Sequence, residues 1–318
     1  MYKIFFINGG SGRVVSALPA LELYAETHDE FYIVCESGLD MFFGHPTLQD
    51  KAFDVNHKGL FETIIKNGEI ISPEPYRDYD YYNQKCSISQ AFDKLINDHK
   101  DIKQLPKPKL YLSKDEELHA IATINIAKKE HGKEKTIVIQ PYGRGAQQNT
   151  DLGVVADMGT RSLEQKDYLK LVERLRKSYN VLCMSEFPTN GDTFTIHPKN
   201  LDLRKWAAVI EMSDYFIGCD SVGQHFAYAS NTPGTVILGS TFAINVSYPE
   251  HFNIWEKPGF KKTYSPIRIS DFNNHLSDRM NDSALSLSDE EFELLYTCLF
   301  YTSPSPRDQR GSRMPSSA

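Results

Sequence analysis

The sequence has no long apolar run, no block of basic residues and no close pair of cysteines, and each absence removes a class of protein. Its first apolar stretch, from Met1-Tyr-Lys-Ile to Asn8, is too short for a signal segment or a membrane span and runs directly into a glycine loop, so it belongs to the fold. Lysines and arginines are scattered rather than interleaved with aromatics, and the formal charge is -7, which argues against nucleic acid as the main partner. The 5 cysteines (Cys35, Cys86, Cys183, Cys219 and Cys298) form no CxxC pair. A disulfide scaffold and a cysteine-based zinc site are therefore not expected, and a reduced, cytoplasmic location is. His119 has no neighbours at metal-ligand spacing, so no metal site is expected.

What is present is a chain of 318 residues with 40% hydrophobic content, enough for two domains that each bury a core. The pattern alternates strand and helix throughout. Tyr2 to Asn8 reads as a strand, Gly9 to Arg13 as a turn, and Val14 to Ala25 as a helix lying on a sheet. Further strands are expected at Phe31–Cys35, Lys51–Val55 and Glu69–Ser72, with helices at 87–98 and 114–129. The pattern restarts at Thr136–Gln140 after a boundary near Glu130 to Lys135. Ser162 is expected to cap the next helix, and Asn180–Met184, an extended segment at 193–197, a helix at 202–212 and a final helix at 289–297 complete the half. Such density implies an α/β fold with mostly parallel sheets covered on both faces.

Within the second half, Ile217-Gly-Cys-Asp-Ser-Val-Gly-Gln-His-Phe-Ala-Tyr-Ala-Ser230 reads as strand, turn and helix, followed by a strand that opens onto Gly239-Ser-Thr241. Its loop lies at the carboxyl end of a strand, where open α/β sheets place ligands. Ser221 is expected to cap the helix, leaving the N–H groups of Val222, Gly223 and Gln224 toward an anion beside the hydroxyls of Ser240 and Thr241. Asp-Ser before a helix is also an ordinary cap. The tyrosine-rich stretch 73–86 suits a sugar or another polar acceptor, or an ordinary surface loop. Gly10-Ser-Gly12 with Glu36 resembles part of a dinucleotide fingerprint, but Val15 stands where a third small residue belongs. Asn245-Val-Ser247 has the form of a glycosylation acceptor that a cytosolic protein would not use.

Two stretches together carry a family resemblance. Gly12-Arg-Val-Val-Ser-Ala-Leu-Pro-Ala-Leu21 is similar to a first-loop Gly-Asp followed by Leu-Pro-Ala-Leu, and Asp220 to Gly234, ending in Gly239-Ser-Thr241, is similar to an Asp-Ser-Gly, His-Leu-Ala-Ala-Ala, Gly-Thr-Pro and Gly-Pro-Thr signature. Both resemble glycosyltransferase family 9, the ADP-heptose:lipopolysaccharide heptosyltransferases. The resemblance implies a GT-B type α/β fold of two Rossmann-like doubly wound domains facing across a cleft: 1–130 on the acceptor side and 131–297 binding the nucleotide sugar. It also implies transfer of a sugar from a nucleoside diphosphate sugar to a hydroxyl of a glycan or lipid-linked glycan, with neither cofactor nor metal.

By the same resemblance, the leaving diphosphate is met by Ser221, the helix N–H groups at 222–224, His225, and a cation, Arg144 or Arg161. Glu186 accepts hydrogen bonds from the ribose or base, and Asp220 orders its loop or binds donor hydroxyls. The proton-accepting acid of the first loop is replaced by Arg13, which cannot act as a base. Asp40 is then the substitute carboxylate, or Arg13 binds an anion, or the protein is a noncatalytic nucleotide-sugar or glycan binder. A dinucleotide oxidoreductase rests on Gly10-Ser-Gly12 and Glu36 alone. Residues 298–318 leave helical periodicity for Ser, Pro and Arg and resemble translated sequencing adapter, so they are expected to stand outside the fold.

Overall fold

The structure, a computed structural model, describes residues 1–143, 146–149, 154–157, 161–185, 202–260, 262 and 285–299. Its first half contains β1 (Tyr2–Ile7), α1 (Ser11–Ala25), β2 (Phe31–Cys35), β3 (Ala52–Asp54), α2 (Leu60–Thr63), β4 (Gly68–Ile71), α3 (Tyr79–Tyr82) and α4 (Ile88–Asn97), with short 3-10 turns between several of them. The four strands are parallel in the order β3-β2-β1-β4. The helix α1 starts at Ser11, so Gly12 and Arg13 stand in its first turn rather than in the expected loop.

The second half contains α5 (Lys114–His131), β5 (Thr136–Gln140), β6 (Ala146–Asn149), β7 (Val154–Asp157), α6 (Gln165–Leu175), β8 (Asn180–Cys183), α7 (Leu203–Met212), β9 (Tyr215–Gly218), α8 (Val222–Ala229), β10 (Gly234–Leu238), α9 (Ala243–Val246), β11 (Asn253–Glu256) and α10 (Asp289–Cys298). Five of its strands form a parallel sheet in the order β11-β10-β9-β5-β8, while β6 and β7 pair as a separate antiparallel hairpin. The inner strand β5 is apolar on both faces, with Ile137, Val138 and Ile139 all fully buried, as a parallel strand covered by helices on both sides requires. On one face α6 and α10 bring Leu171, Leu175, Phe292 and Leu295 into a core with Ile139 and Ile217. On the other, α7 and α8 supply Ala208, Val209 and Phe226.

The helix α5, which the sequence pattern groups with the first half, packs on α7 and on the β5–β8 side of the second sheet. Its Ser113 and Glu116 form a capping box, so the helix start is sharply defined. At the other end, the segment expected to lie outside the fold begins inside it. The helix α10 runs through Cys298, and Leu299 is buried, its carbonyl accepting from Thr235 Oγ1 at 3.0 Å.

Both sheets reverse direction at an inner strand. The chain builds β1, β2 and β3 to one side and then places β4 on the other side of β1; it goes from β5 to β8 and then returns to β9 on the other side of β5. Crevices open where strand order reverses, beyond the carboxyl ends of the strands. The two crevices lie between β1 and β4 and between β5 and β9.

Candidate active site

The second crevice is built by the loops that leave β5 and β9. A β-carbon at Gly143, just after β5, would come within 3.7 Å of both Arg161 Cβ and the Asp220 carbonyl oxygen, so these three residues meet. The Asp220 carboxylate is buried and accepts from Gln224 Nε2 at 3.4 Å. Burial pushes its carboxyl above the usual range while the Arg161 charge pulls it back. For Arg161, burial alone would lower the guanidinium, but Asp220 and then Asp157 outweigh it and the net shift is upward. Ser162 is spent on this support rather than on a helix cap. Its N–H donates to Asp157 Oδ2 at 3.0 Å and its hydroxyl accepts from the Gly143 N–H at 2.9 Å, while α6 starts three residues later at Gln165. Asp157 belongs to β7, in the hairpin the sequence pattern does not reveal.

At the start of α8 the expected cap is replaced by a residue from another strand. Ser221 is extended (φ -156, ψ -179), and its side chain makes no capping bond. Instead Gln140, the last residue of β5, accepts the Gly223 N–H on Oε1 at 2.9 Å and donates from Nε2 to Ser221 Oγ at 3.1 Å. One side chain thereby caps the helix and fixes its N-cap residue. The Gly223 N–H is therefore engaged within the protein, and a β-carbon at Gly223 would stand 2.5 Å from Gln140 Oε1, which is why this position is glycine.

The first crevice is built by the start of α1 and the turn after β4. Arg13 Nη1 donates to Glu74 Oε1 at 3.0 Å, and Asn8 Nδ2 to Glu74 Oε2 at 3.3 Å. The guanidinium carbon lies 4.8 Å from the Tyr76 ring centroid and 5.4 Å from that of Phe92. Burial would lower the Arg13 guanidinium, yet the neighbouring Tyr76 and Glu74 raise it on balance. It stays charged. Glu36, the candidate ribose ligand of the dinucleotide reading, accepts the Gly9 N–H on Oε2 at 2.5 Å and so closes the loop after β1.

Asp40 stands apart from Arg13. Strand order puts the loop after β2 and the turn after β4 on opposite sides of β1, so Asp40 and Glu74 flank Arg13 from opposite directions. Burial raises the Asp40 carboxyl, with Arg204 opposing and Asp202 and Glu116 adding to the rise. Its backbone carbonyl accepts from Arg204 Nη1 at 3.0 Å, while the same guanidinium grips Glu116 at 2.6 and 2.9 Å and the Tyr111 carbonyl at 2.7 Å. That arrangement is a strut between the halves.

The crevices face one another. Tyr76 lies within the electrostatic reach of both Arg13 and Arg161, and Tyr81 within that of both Asp220 and Arg13. Asn245 Nδ2, from α9, donates to the carbonyls of Tyr81 and Cys86 at 2.8 and 2.9 Å. This explains why the glycosylation-like triplet is not an acceptor in the folded chain: Asn245 is buried at the contact between the halves. His225 sits in the middle of that contact, its Nδ1 2.7 Å from the Tyr248 hydroxyl. Burial lowers its imidazole to about 4, so it is neutral near pH 7 and adds no charge to the site.

Among the described residues, several buried polar atoms here have no hydrogen-bond partner: Asn8 Oδ1, Arg13 Nε and Nη2, Arg161 Nε, Gln224 Oε1 and Thr241 Oγ1. They come from the end of β1 and the first turn of α1, from the segment between β7 and α6, from the first turn of α8 and from the loop after β10. A buried donor left unmatched costs about 1–3 kcal/mol, and more when charged. Both donors and acceptors are thus left unmatched where the two crevices face each other, among them nitrogens of two arginines. Ser240 and Thr241 are buried after β10, the Thr241 carbonyl accepting from Lys262 Nζ at 2.9 Å. Arg144 and Glu186 lie outside the described residues. No cluster of three or more potential metal-ligating side chains occurs among the described residues, and no described helix is long and apolar enough to cross a membrane.

Glu74, Tyr76, Gln140 and Asp157 were not among the residues singled out from the sequence. Gln140 ends β5 and Glu74 lies just after β4, both at the carboxyl ends of parallel strands, and that position is the signal that could have found them. Asp157 left no such signal, since its hairpin is short and its partner Ser162 resembles a cap.

Neither a protein-family model nor a curated protein matches the chain by sequence. Solved structures match it by shape. The E. coli ADP-heptose LPS heptosyltransferase II aligns with a TM-score of 0.56 at 12% identity, covering 86% of this chain and 96% of its own. A glycosyl transferase family 9 protein from Veillonella parvula aligns with a TM-score of 0.55 at 12% identity, over 80% of this chain and 86% of its own. The E. coli heptosyltransferase WaaC, solved with ADP, aligns with a TM-score of 0.50 at 11% identity, over 81% and 91%. At such identities the likeness establishes the fold, which is the GT-B type expected from the sequence.

Proposed function

We propose that the protein transfers a sugar from a nucleoside diphosphate sugar to a hydroxyl of a glycan or lipid-linked glycan. The observation that carries this reading is the pair of buried guanidinium groups, Arg13 and Arg161, whose unpartnered nitrogens flank the region where the two crevices face each other. As the bond from sugar to diphosphate breaks, negative charge builds on the leaving group. Fixed positive charge in a water-poor cleft stabilises that state more than the ground state.

Arg161, within the electrostatic reach of Asp220 and Asp157, is the main phosphate ligand in this reading, with the Thr241 and Ser240 hydroxyls and the amino end of α8 as its companions. The engagement of Gly223 by Gln140 narrows the helix contribution to its dipole and to Ser221, Val222 and Gln224. His225, being neutral, acts through packing and hydrogen bonding rather than charge. The guanidinium groups supply the charge that makes a metal-independent transfer workable. Arg144 and Glu186 keep the roles the resemblance gives them, a second phosphate ligand and a partner for the ribose or base. A cytoplasmic setting suits a donor of this kind.

Solved neighbours are named for ADP and ADP-heptose, which makes an adenine nucleotide sugar the first probe. The test is a panel of nucleoside diphosphate sugars incubated with lipopolysaccharide-type and other glycan acceptors, read by product formation and by donor binding. Transfer from one donor supports the proposal. Binding of a donor with no product across the panel selects a nucleotide-sugar-binding protein instead, and neither product nor binding overturns the reading.

A further inference from the structure

We propose that Glu74 is the proton acceptor of the transfer, an inference that rests on the transferase reading. A glycan hydroxyl that attacks an anomeric carbon must lose its proton, and a positioned carboxylate is suited to take it. Among the described residues, three other carboxylates near the crevices are committed elsewhere. Glu36 holds the Gly9 N–H, Asp220 is buried against Arg161 and Gln224, and Asp40 stands on the far side of β1 with Arg204.

Glu74 is placed for the work by its own backbone. It follows β4, at the crevice between β1 and β4, and stands between Pro73 and Pro75, whose rings restrict the chain on either side. The Tyr76 N–H returns to Oε1 at 3.4 Å, Arg13 fixes the same oxygen at 3.0 Å, and Asn8 approaches Oε2 at 3.3 Å. The side chain remains 11% exposed against 7% for Arg13, so the carboxylate is the more accessible partner of the pair. Arg13 thus occupies the position where an acid is expected and holds an acid there from another strand. Next to it, the half-buried ring of Tyr76, held edge-on by the buried Tyr81 with centroids 5.5 Å apart, offers an aromatic face for a sugar ring.

In the step itself, Oε2 of Glu74 takes the proton of the acceptor hydroxyl. The oxygen's electron pair forms the new bond to the anomeric carbon. The bond from that carbon to the diphosphate breaks, and its electron pair leaves with the diphosphate toward Arg161. Glu74 ends protonated and returns the proton to solvent.

The test compares Glu74→Gln and Glu74→Asp with the wild type, using the donor and acceptor identified by the panel and recording kcat beside donor Kd. The expected result for Glu74→Gln is a loss of about 10²- to 10⁴-fold in kcat, with donor Kd changed less than about threefold. Glu74→Asp keeps the counter-charge of Arg13 but withdraws the oxygens by one methylene. It is expected to fold even if the amide variant does not, and to lose at least about tenfold in kcat with donor affinity retained. A wild type that transfers sugar while either folded variant keeps kcat within about threefold would overturn the role of Glu74 and leave the transferase reading standing. A wild type that binds no donor overturns both.

Discussion

Gly12 and His225 meet across the contact between the halves so closely that a β-carbon on Gly12 would stand 3.1 Å from the imidazole Cδ2. The first turn of α1 and the first turn of α8 therefore touch through the smallest residue available. The imidazole has no room to retreat, because Nδ1 is bound to the Tyr248 hydroxyl and the Tyr248 ring stacks on Tyr228 at 3.7 Å.

Gly12→Ala should consequently destabilise the protein. Alanine gains up to about 1 kcal/mol of helix propensity over glycine, but overpacking a closed contact costs about 1–3 kcal/mol. A net loss of about 1 kcal/mol is expected in denaturant melts. The double variant Gly12→Ala with His225→Ala should lose the clash; an unchanged penalty in that background would show that the contact is not its source.

Stability should fall in mild acid because of His225. Its folded value of about 4 lies below its unfolded value of about 6.5, so above pH 6.5 the imidazole is neutral in both states and costs nothing. As pH falls from about 6.5 to about 4, only the unfolded chain takes up the proton. About 3 kcal/mol of stability is lost across that window. His225→Gln should flatten the window in pH-dependent melts, whereas an identical slope in the variant would place the proton uptake elsewhere.

Gln140→Ala removes the acceptor of the Gly223 N–H and the donor to Ser221 Oγ. A lost cap plus a buried hydrogen bond costs about 1–3 kcal/mol. Hydrogen exchange should show the gain in mobility concentrated in the first turn of α8. Uniform exchange across the second half would contradict the capping role.

Asn245→Ala strips two donors from the carbonyls of Tyr81 and Cys86 and leaves those carbonyls buried. The expected loss is about 2–4 kcal/mol, with looser attachment of 73–86 visible as faster proteolysis there. Proteolysis at an unchanged rate would count against Asn245 as a link between the halves.

Much of this architecture is legible in the residues, and the exceptions have physical causes. Strands such as Phe31–Cys35 and Thr136–Gln140 stand where their apolar runs place them, since a parallel strand buried on both faces needs such a run. The final helix starts at Ser288 as its capping box with Glu291 requires. Caps fail as signals when another residue captures the hydroxyl: Ser162 goes to Asp157, and Ser221 to Gln140, partners 5 and 81 residues distant. Local pattern cannot register a partner from a different strand. For the same reason Arg161 and Asp220 were identifiable as candidates but not as a pair, and Glu74, hidden in a tyrosine-rich turn, becomes visible only when β4 is seen beside β1.

Calorimetric titration of ADP-heptose and related nucleotide sugars into wild type, Arg161→Ala and Arg13→Ala tests whether guanidinium charge in the cleft binds a donor diphosphate. A charged hydrogen-bond partner contributes about 1.5–3 kcal/mol, so wild type should bind and Arg161→Ala should lose roughly 10- to 100-fold in affinity, with a smaller loss for Arg13→Ala. Donor affinity equal to wild type in a folded Arg161→Ala protein would contradict it.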